Sequence, residues 1–565
     1  SQLGRVFKDG TSGQFHDLLR RAYTAWNEEH GRRRGARIPD EVRAGIRTVL
    51  AEKTFVKRYG RKPLSRQELD GHLKQELRGD GGRSCAGFDV TFSPVKSVSA
   101  LWAIADPEVS GVIEQAQDEA VQDAVAWLEQ QAAYTRRGVR GARQVETKGL
   151  LAAQFVHRDS RAGDPDLHTH VAISNKVQDA ADGAWLALDG RVIYQLMVAA
   201  SERYNSSMER ILTDKLGVGF RVRESDSGRR PIREIDGIPQ ELIEAWSTRR
   251  DAITARQEEL VAAFEQRHLR PPTPVETLAL AQQATLETRE AKHEPRSLAE
   301  QRATWRSQAA EILGGESLVD DMAVGVLNRR TRTRKVDTVL VDRVAERVVG
   351  ALEERRATWQ IQHVTAEVER QVRGLNVAPG QHHDLVARVI DAVVEQQSIP
   401  VVTDPEAAIE VPAELRRSDG ASMYERVHQL RYTSRRILEA EEFIRETARS
   451  QDGATVGEEA VTVALLESVA NGVELNPQQT RLVREFATSG SRVQLALAPA
   501  GTGKTTAMRV LARAWENGGG TVIAAAPTHV AVDGLQTAMD APGGTIASLT
   551  AALTHGTALP AWAEN

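Results

Sequence analysis

The stretch FVHRDSRAGDPDLHTHVAISN, from Phe155 to Asn175, limits what this chain can fold into more than any other. Side chains of an extended strand alternate between two faces, so His168 and His170 project together while Thr169 turns away. Gly163, Asp164 and Pro165 are turn formers, and they place Phe155-Val156-His157 on a neighbouring antiparallel strand with His157 as a third prong. Three imidazoles on a two-stranded scaffold leave positions open on a divalent cation, which catalysis requires and a structural site closes off. The plainer reading, satisfied histidines on a solvated strand face, suits a lone histidine better than H-x10-H-x-H closing on a turn.

A chain of 565 residues holds several domains, and its 41% hydrophobic and 27% charged content is that of an ordinary soluble protein. No apolar run approaches a membrane span and no signal peptide is visible, so no membrane insertion is expected. The single cysteine, Cys85, excludes an intramolecular disulfide framework and fits a reducing cytoplasm. With a net charge of -5, any binding of nucleic acid must come from local basic patches, for which GRRRGAR (31–37) and RRTRTRK (329–335) are candidates, although a basic loop is also often merely solvated.

Periodicity divides the chain. Residues 12–80 have helical spacing, as in FHDLLRRAYTAW. GFDVTFSPVKSVSALWAIA switches to alternation, with Phe88, Val90 and Phe92 on one face and Asp89, Thr91 and Ser93 on the other. A helical stretch, GVIEQAQDEAVQDAVAWLEQQAAY, leads to strand-like RQVETKGLLAAQFVH, the HTHVAISN strand, a short WLALDGR segment and a helix through LMVAASERYNSSMERIL. The expected fold is α+β with a mainly antiparallel sheet, its core at about 80–230 within a domain of 1–315. Residues 235–315 read as charged helices interrupted by PPTP. Residues 316–465 read as a helical connector, or the N-terminal region of the next domain. Within it RRATWQIQHVTAEVERQVRGL suggests two helices meeting at a turn before strand-like SIPVVTD, a winged-helix pattern that plain bundles share.

Residues 466–565 carry a second motif. VQLALAPAGTGKTTAMRVLARAW sets an apolar strand, a glycine turn and a helix in P-loop order. Backbone N–H groups of Gly501, Thr502 and Gly503 are placed to cradle phosphates, Lys504 to neutralise them and Thr505, followed by Thr506, to bind Mg²⁺ with ATP; Ala498 stands where the strict pattern has its first glycine. In LNPQQ, Gln479 is the candidate for an adenine edge, with Gln478 as the competing choice. TVIAAAPTHVAV reads as the next parallel strand, with Pro527 and Thr528 at its carboxyl end, where α/β sheets put ligands. No acidic pair follows an apolar strand beyond it, so nucleotide binding is expected without efficient turnover.

GFDVTFSPVKSVS, HRDSRAGDPDLHTHVAISNK and APAGTGKTT, in this order, resemble the MobF (TrwC/TraI-type) conjugative relaxase-helicases over most of 80–210 and 470–550. The resemblance implies an HUH-type relaxase domain, a helical connector and the start of a superfamily 1, RecA-like P-loop helicase domain. It implies a bacterial cytoplasmic enzyme that nicks DNA at a plasmid transfer origin, a tyrosine hydroxyl attacking a phosphodiester, coupled to ATP-dependent unwinding. Partners are then single-stranded and transfer-origin DNA, with other relaxosome and coupling proteins. His157, His168 and His170 match the metal triad and Asp89 the assisting carboxylate; Lys96, Ser160 and Arg161, with Pro527 and Thr528 of the motor, are expected to touch DNA. The ion in use is expected to be Mg²⁺ or Mn²⁺, with Zn²⁺ or Ni²⁺ held more tightly.

One departure stands against these matches. The family's nucleophilic tyrosines cluster near the N-terminus, and only Tyr23 and Tyr59 precede the GFDVTF strand, Tyr23 in a setting that suits core packing. The expectation is that the chain is a piece whose nucleophile lies ahead of Ser1 and which cannot itself form the covalent intermediate. Two other classes fit the same residues: a three-histidine zinc hydrolase using metal-bound water, and a non-catalytic DNA-binding remnant.

Overall fold

The computed structural model describes residues 14–563 except 34–35, 37, 79–84, 224–231, 269, 290–295, 330–332, 379, 402–410 and 500. Parts of both basic runs, GRRRGAR and RRTRTRK, and the end of SIPVVTD lie outside the described residues. Two compact units divide the chain, Ser1–Thr433 and Ser434–Asn565.

The first unit opens with α1 (Gln14–Glu29), α2 (Asp40–Tyr59) and α3 (Arg66–Arg78), packed around Phe15, Leu19 and Ala51. Then come β1 (Gly87–Phe92), α4 (Lys96–Ile104), α5 (Pro107–Ala132), β2 (Tyr134–Arg137), β3 (Arg143–Glu146), β4 (Ala152–Asp159) and β5 (Pro165–Ser174). β5 is the centre of an antiparallel sheet ordered β1-β5-β4. Its alternate residues Leu167, Thr169, Val171 and Ile173 are buried, so a slip of one residue would drive His168 and His170 into the core. Each of the three aliphatic side chains contributes roughly 1.5–3 kcal/mol on burial, which fixes that register.

The expected alternation stops at Phe92. α4 follows, with eight of its nine residues buried; a segment with no polar face gives periodicity nothing to separate helix from strand. RQVETKGLLAAQFVH likewise is not one strand: Gly149, at φ +122°, breaks it into β3 and β4, which belong to different sheets. The short hairpin β6 (Lys176–Gln178) and β7 (Trp185–Ala187) leads into α6 (Gly190–Leu216), which packs along α5 over the sheet.

Beyond α6 come β8 (Phe220–Arg223), β9 (Ile232–Ile235), α7 (Gln240–Ala245), α8 (Thr248–His268), α9 (Pro274–Glu287), α10 (Leu298–Leu313) and α11 (Glu316–Gly325). PPTP separates α8 from α9, whose cap is Thr273 in a reciprocal capping box with Glu276. The core does not stop at 230: Trp246, Trp305, Ala309, Val319 and Val326 join it, and the Trp305 and Trp102 rings lie 5.6 Å apart. Next stand α12 (Thr338–Glu353), α13 (Ile361–Val372), α14 (His382–Asp391) and the antiparallel pair β10 (Ile399–Val401) and β11 (Arg431–Thr433). RRATWQIQHVTAEVERQVRGL thus holds one helix rather than two, because Trp359 ahead of it is extended and exchanges backbone hydrogen bonds with Tyr432. With eight of its twelve residues buried, α13 packs on α6 and α12 and is not presented as a reading helix.

The second unit contains α15 (Arg435–Arg449), α16 (Glu458–Ala470), α17 (Pro477–Thr488), α18 (Lys504–Asn517), β12 (Ala524–Ala526), α19 (His529–Met539), β13 (Gly543–Thr545) and α20 (Ile546–His555). β12 and β13 are parallel. The apolar segment before the P-loop does not form the expected strand: Leu495 and Leu497 are exposed and no ladder partner meets it among the described residues. β12 therefore pairs with β13 rather than with that segment. No helix among the described residues is long and apolar enough to cross a membrane.

Candidate metal centre

β4 and β5 bring His157 opposite His168, and alternation puts His170 on the same face. One ligand nitrogen from each of the three rings lies within 4.8 Å of the others. Ring centroids are 5.0–5.3 Å apart, and His157 Nδ1 stands 3.3 Å from His168 Nε2. The far nitrogens are already engaged. His168 Nδ1 is 2.7 Å from the Asp166 carbonyl, and His170 Nδ1 is 2.9 and 3.0 Å from the Asp89 carboxylate oxygens. Each contact places the N–H on Nδ1 and leaves Nε2 as the ligand atom, so the donor set fits a divalent cation with neutral nitrogen ligands oriented by outer partners.

The β4–β5 turn is anchored from outside the sheet. Gly163 adopts φ +86°, a left-handed conformation that favours glycine, and its carbonyl accepts from Trp305 Nε1 at 2.9 Å. Asp164 accepts from Ser160 Oγ and Thr248 Oγ1, and burial pushes its carboxyl above the usual range. The triad stands in the wall of a cavity of about 870 Å³ that Arg161, Arg249 and Arg289 also line.

In the second unit Gly501 and Gly503 have φ of +77° and +76°, and Gly503 starts α18 at Lys504. Lys504 Nζ donates to the carbonyls of Ala498 and Pro499, at 2.5 and 2.8 Å. Gln479, in a capping box with Asn476, sends its amide to the Thr502 carbonyl at 3.0 Å. That amide braces the loop itself. Pro527 follows β12, and Thr528 caps α19 by accepting from the Ala531 N–H.

Residues 11–312, more than half of the chain, match the model of the TrwC relaxase. The chain belongs to the TrwC relaxase family. Residues 474–564 match an AAA domain, the part that carries the P-loop. The multifunctional conjugation protein TraI of Escherichia coli is 28% identical over 302 residues, 50% of this chain and 16% of that relative; TraI of strain K12 is 29% identical over 193 residues, 33% of this chain and 10% of the relative. The chain thus matches under a fifth of the length of either. Among solved structures, a copper-bound complex of the conjugative relaxase TrwC with oriT DNA is 26% identical, covering 51% of this chain and 85% of its own, at a TM-score of 0.34. A metal-free complex is 25% identical, covering 53% and 95%, at 0.33. At these scores the superpositions add nothing to the family match.

In this chain Asp89, His157, His168, His170, Ser160 and Arg161 all line the one cavity. Lys96 does not. It points to the neighbouring cavity with its ammonium 2.8 Å from the Pro165 carbonyl, and burial pushes its pKa down. The Ser160 hydroxyl is occupied within the turn, accepting from the Ala162 and Asp164 N–H groups. Sequence reasoning missed Thr91, 3.1 Å from His170 Nδ1, and Asp166, whose carboxylate stands 3.5 Å from His168 Nδ1; both side chains obey the two-residue period from Asp89 and His168, so alternation carried the signal. It also missed Arg249 and Arg289, which no motif marks. Tyr23 packs against the helical core with its hydroxyl accepting from Arg47, as expected, and among the described residues no tyrosine lines the cavity.

Proposed function

We propose that this relaxase binds single-stranded DNA of a plasmid transfer origin in the three-histidine cavity, in support of metal-dependent strand nicking, with a nucleotide-binding helicase domain following through a helical connector. The observation that carries it is the convergence of His157, His168 and His170 on one face, with Asp89 on the far side of His170. A divalent cation held there supplies Lewis-acid polarisation of a phosphodiester. The residues of the chain do the rest. Asp89 and the Asp166 carbonyl fix the tautomers of His170 and His168, and Arg161, Arg249 and Arg289 draw the phosphate backbone into the cavity. In the transesterification a tyrosine oxygen would bond to phosphorus as the P–O3' bond breaks, the phenol giving up its proton and the leaving 3' oxygen gaining one as a free 3' hydroxyl. Among the described tyrosines Tyr204 is removed from that role, being fully buried with its hydroxyl on Gln117. Gly501 to Thr506 form the Mg²⁺–ATP loop of a RecA-like motor, and Lys96, Ser160, Pro527 and Thr528 stay candidates for strand contacts.

Fluorescence anisotropy with a labelled single strand tests the reading. Affinity should rise with Mn²⁺, fall on chelation, and fall alike in His168→Ala and His170→Ala. An affinity indifferent to chelation and to both substitutions would overturn it. Ester hydrolysis by the zinc-loaded protein that DNA leaves untouched would favour a three-histidine hydrolase instead.

A further inference from the structure

A second cavity, of about 860 Å³, adjoins the first, and the two share Ser93, Ser160, Asp166 and Arg249. Its far wall comes from beyond the matched relaxase stretch: Ala351 of α12, Arg355 after it, and Glu367, Arg370 and Gln371 of α13. Eight cationic side chains line it against five carboxylates. Most are matched internally. Arg223 pairs with Glu234 at 3.1 Å, Arg370 with Glu202 and Glu367 at 2.7 and 2.8 Å, Arg373 with Glu202, and Arg233 with Glu209 just outside. Lys96 faces Asp166. The guanidinium groups of Arg249, Arg250 and Arg355 have no hydrogen bond or carboxylate partner among the described residues.

A concave site with three unmatched guanidinium forks is complementary to phosphate, which they bind bidentately. Half-exposed Val222 on β8 adds an apolar wall suited to sugar or base. A strand explains the site better than a free phosphate compound does, because Arg249 belongs to both cavities, so a backbone at the histidines leads past it into the second. We propose that this cavity is a second phosphodiester subsite, in which Arg250 and Arg355 hold the strand segment adjoining the one at the three histidines. The connector after α12 is then part of the DNA site rather than a spacer between two activities. This rests on the reading of the three-histidine cavity as the DNA cleft.

The experiment uses the whole 565-residue chain with Mn²⁺ and fluorescent oligothymidylates of increasing length. Wild-type affinity should climb once the oligonucleotide is long enough to reach past Arg249. In the double variant Arg250→Gln/Arg355→Gln that gain should shrink by roughly tenfold, with the shortest strands bound as before. The slope of log affinity against log salt for the long strand should fall by roughly 1.4, from about 0.7 per lost single-strand contact. Arg355→Lys should keep much of the gain. Because neither guanidinium has a protein partner, the variants should melt with the wild type. If long and short strands bind the double variant and the wild type alike, the proposal is overturned. Loss of tripolyphosphate binding in the double variant with oligonucleotide affinity unchanged also overturns it, in favour of a small phosphate ligand. Failure of the parent reading looks different, since wild-type affinity itself is then indifferent to chelation.

Discussion

Asp89→Asn removes the charge that orients His170 while keeping the shape of the side chain. In the folded protein His170 Nδ1 lies 2.9 and 3.0 Å from the two Asp89 oxygens, which directs Nε2 toward His157 and His168. Loss of such an outer partner typically lowers metal affinity by ~10–100-fold, or ~1.4–2.7 kcal/mol. Two features put this site at the low end. The Asp89 side chain is 63% exposed, so solvent screens its charge, and Thr91 Oγ1, 3.1 Å from the same nitrogen, can accept the proton in its place. Isothermal titration with Mn²⁺ or Zn²⁺ should therefore show a loss of about tenfold for Asp89→Asn, rising toward about a hundredfold for Asp89→Asn/Thr91→Val, where the carboxylate and hydroxyl are both gone. The metal-free melting temperature should hardly move. Affinities within a factor of about two of wild type in both variants would refute the tautomer argument.

Trp305→Ala should cost about 3–5 kcal/mol in denaturant unfolding and also weaken metal binding, since Trp305 is fully buried and its indole N–H holds the Gly163 carbonyl; a stability loss with metal affinity intact would disprove the link to the turn. Glu369 lies fully buried on α13, 3.7 Å from Arg203, and burial pushes its carboxyl up to about 7. Between its ordinary value and about 7 the folded state holds the extra proton, so this group's contribution to stability falls as pH rises. Glu369→Gln should gain on the wild type progressively from about pH 4.5 to 7 and then level off, and a pH-independent difference in unfolding free energy would contradict that. Gln479→Ala should weaken ADP and pyrophosphate binding together by severalfold if the amide braces the P-loop through Thr502; a loss confined to ADP would make it a base reader.

The histidine hairpin was legible because three independent local rules agree there: alternation, turn chemistry at Gly163-Asp164-Pro165, and apolar partners on the reverse face of β5. Asp89 was legible for the same reason, standing one strand away on the outward face of β1. Where only one rule applied, it failed. α4 is apolar on nearly every side, so its period says nothing, and the strand expected before Gly501 depends on a ladder partner that no local pattern can supply. The supports of the site were hidden by distance in the chain. Trp305 and Thr248 reach the hairpin turn from helices whose own sequences look like charged solvent-facing segments. The pairing of Trp359 with Tyr432, which straightens what reads as a helix, is a contact across more than seventy residues.

Among the described residues β4 is the edge of its sheet, hydrogen-bonded on one side only, with Phe155 and Val156 more than half exposed. Such a strand sits at the low-stability end of a fold, opening far more often than the β5 it leans on. His157 is its contribution to the triad, while His168 and His170 belong to the central strand. An ion gripped by all three therefore stitches a loose hem to a firm seam, and its arrival should be felt first as slower amide exchange along Ala152–Asp159, before any chemistry begins.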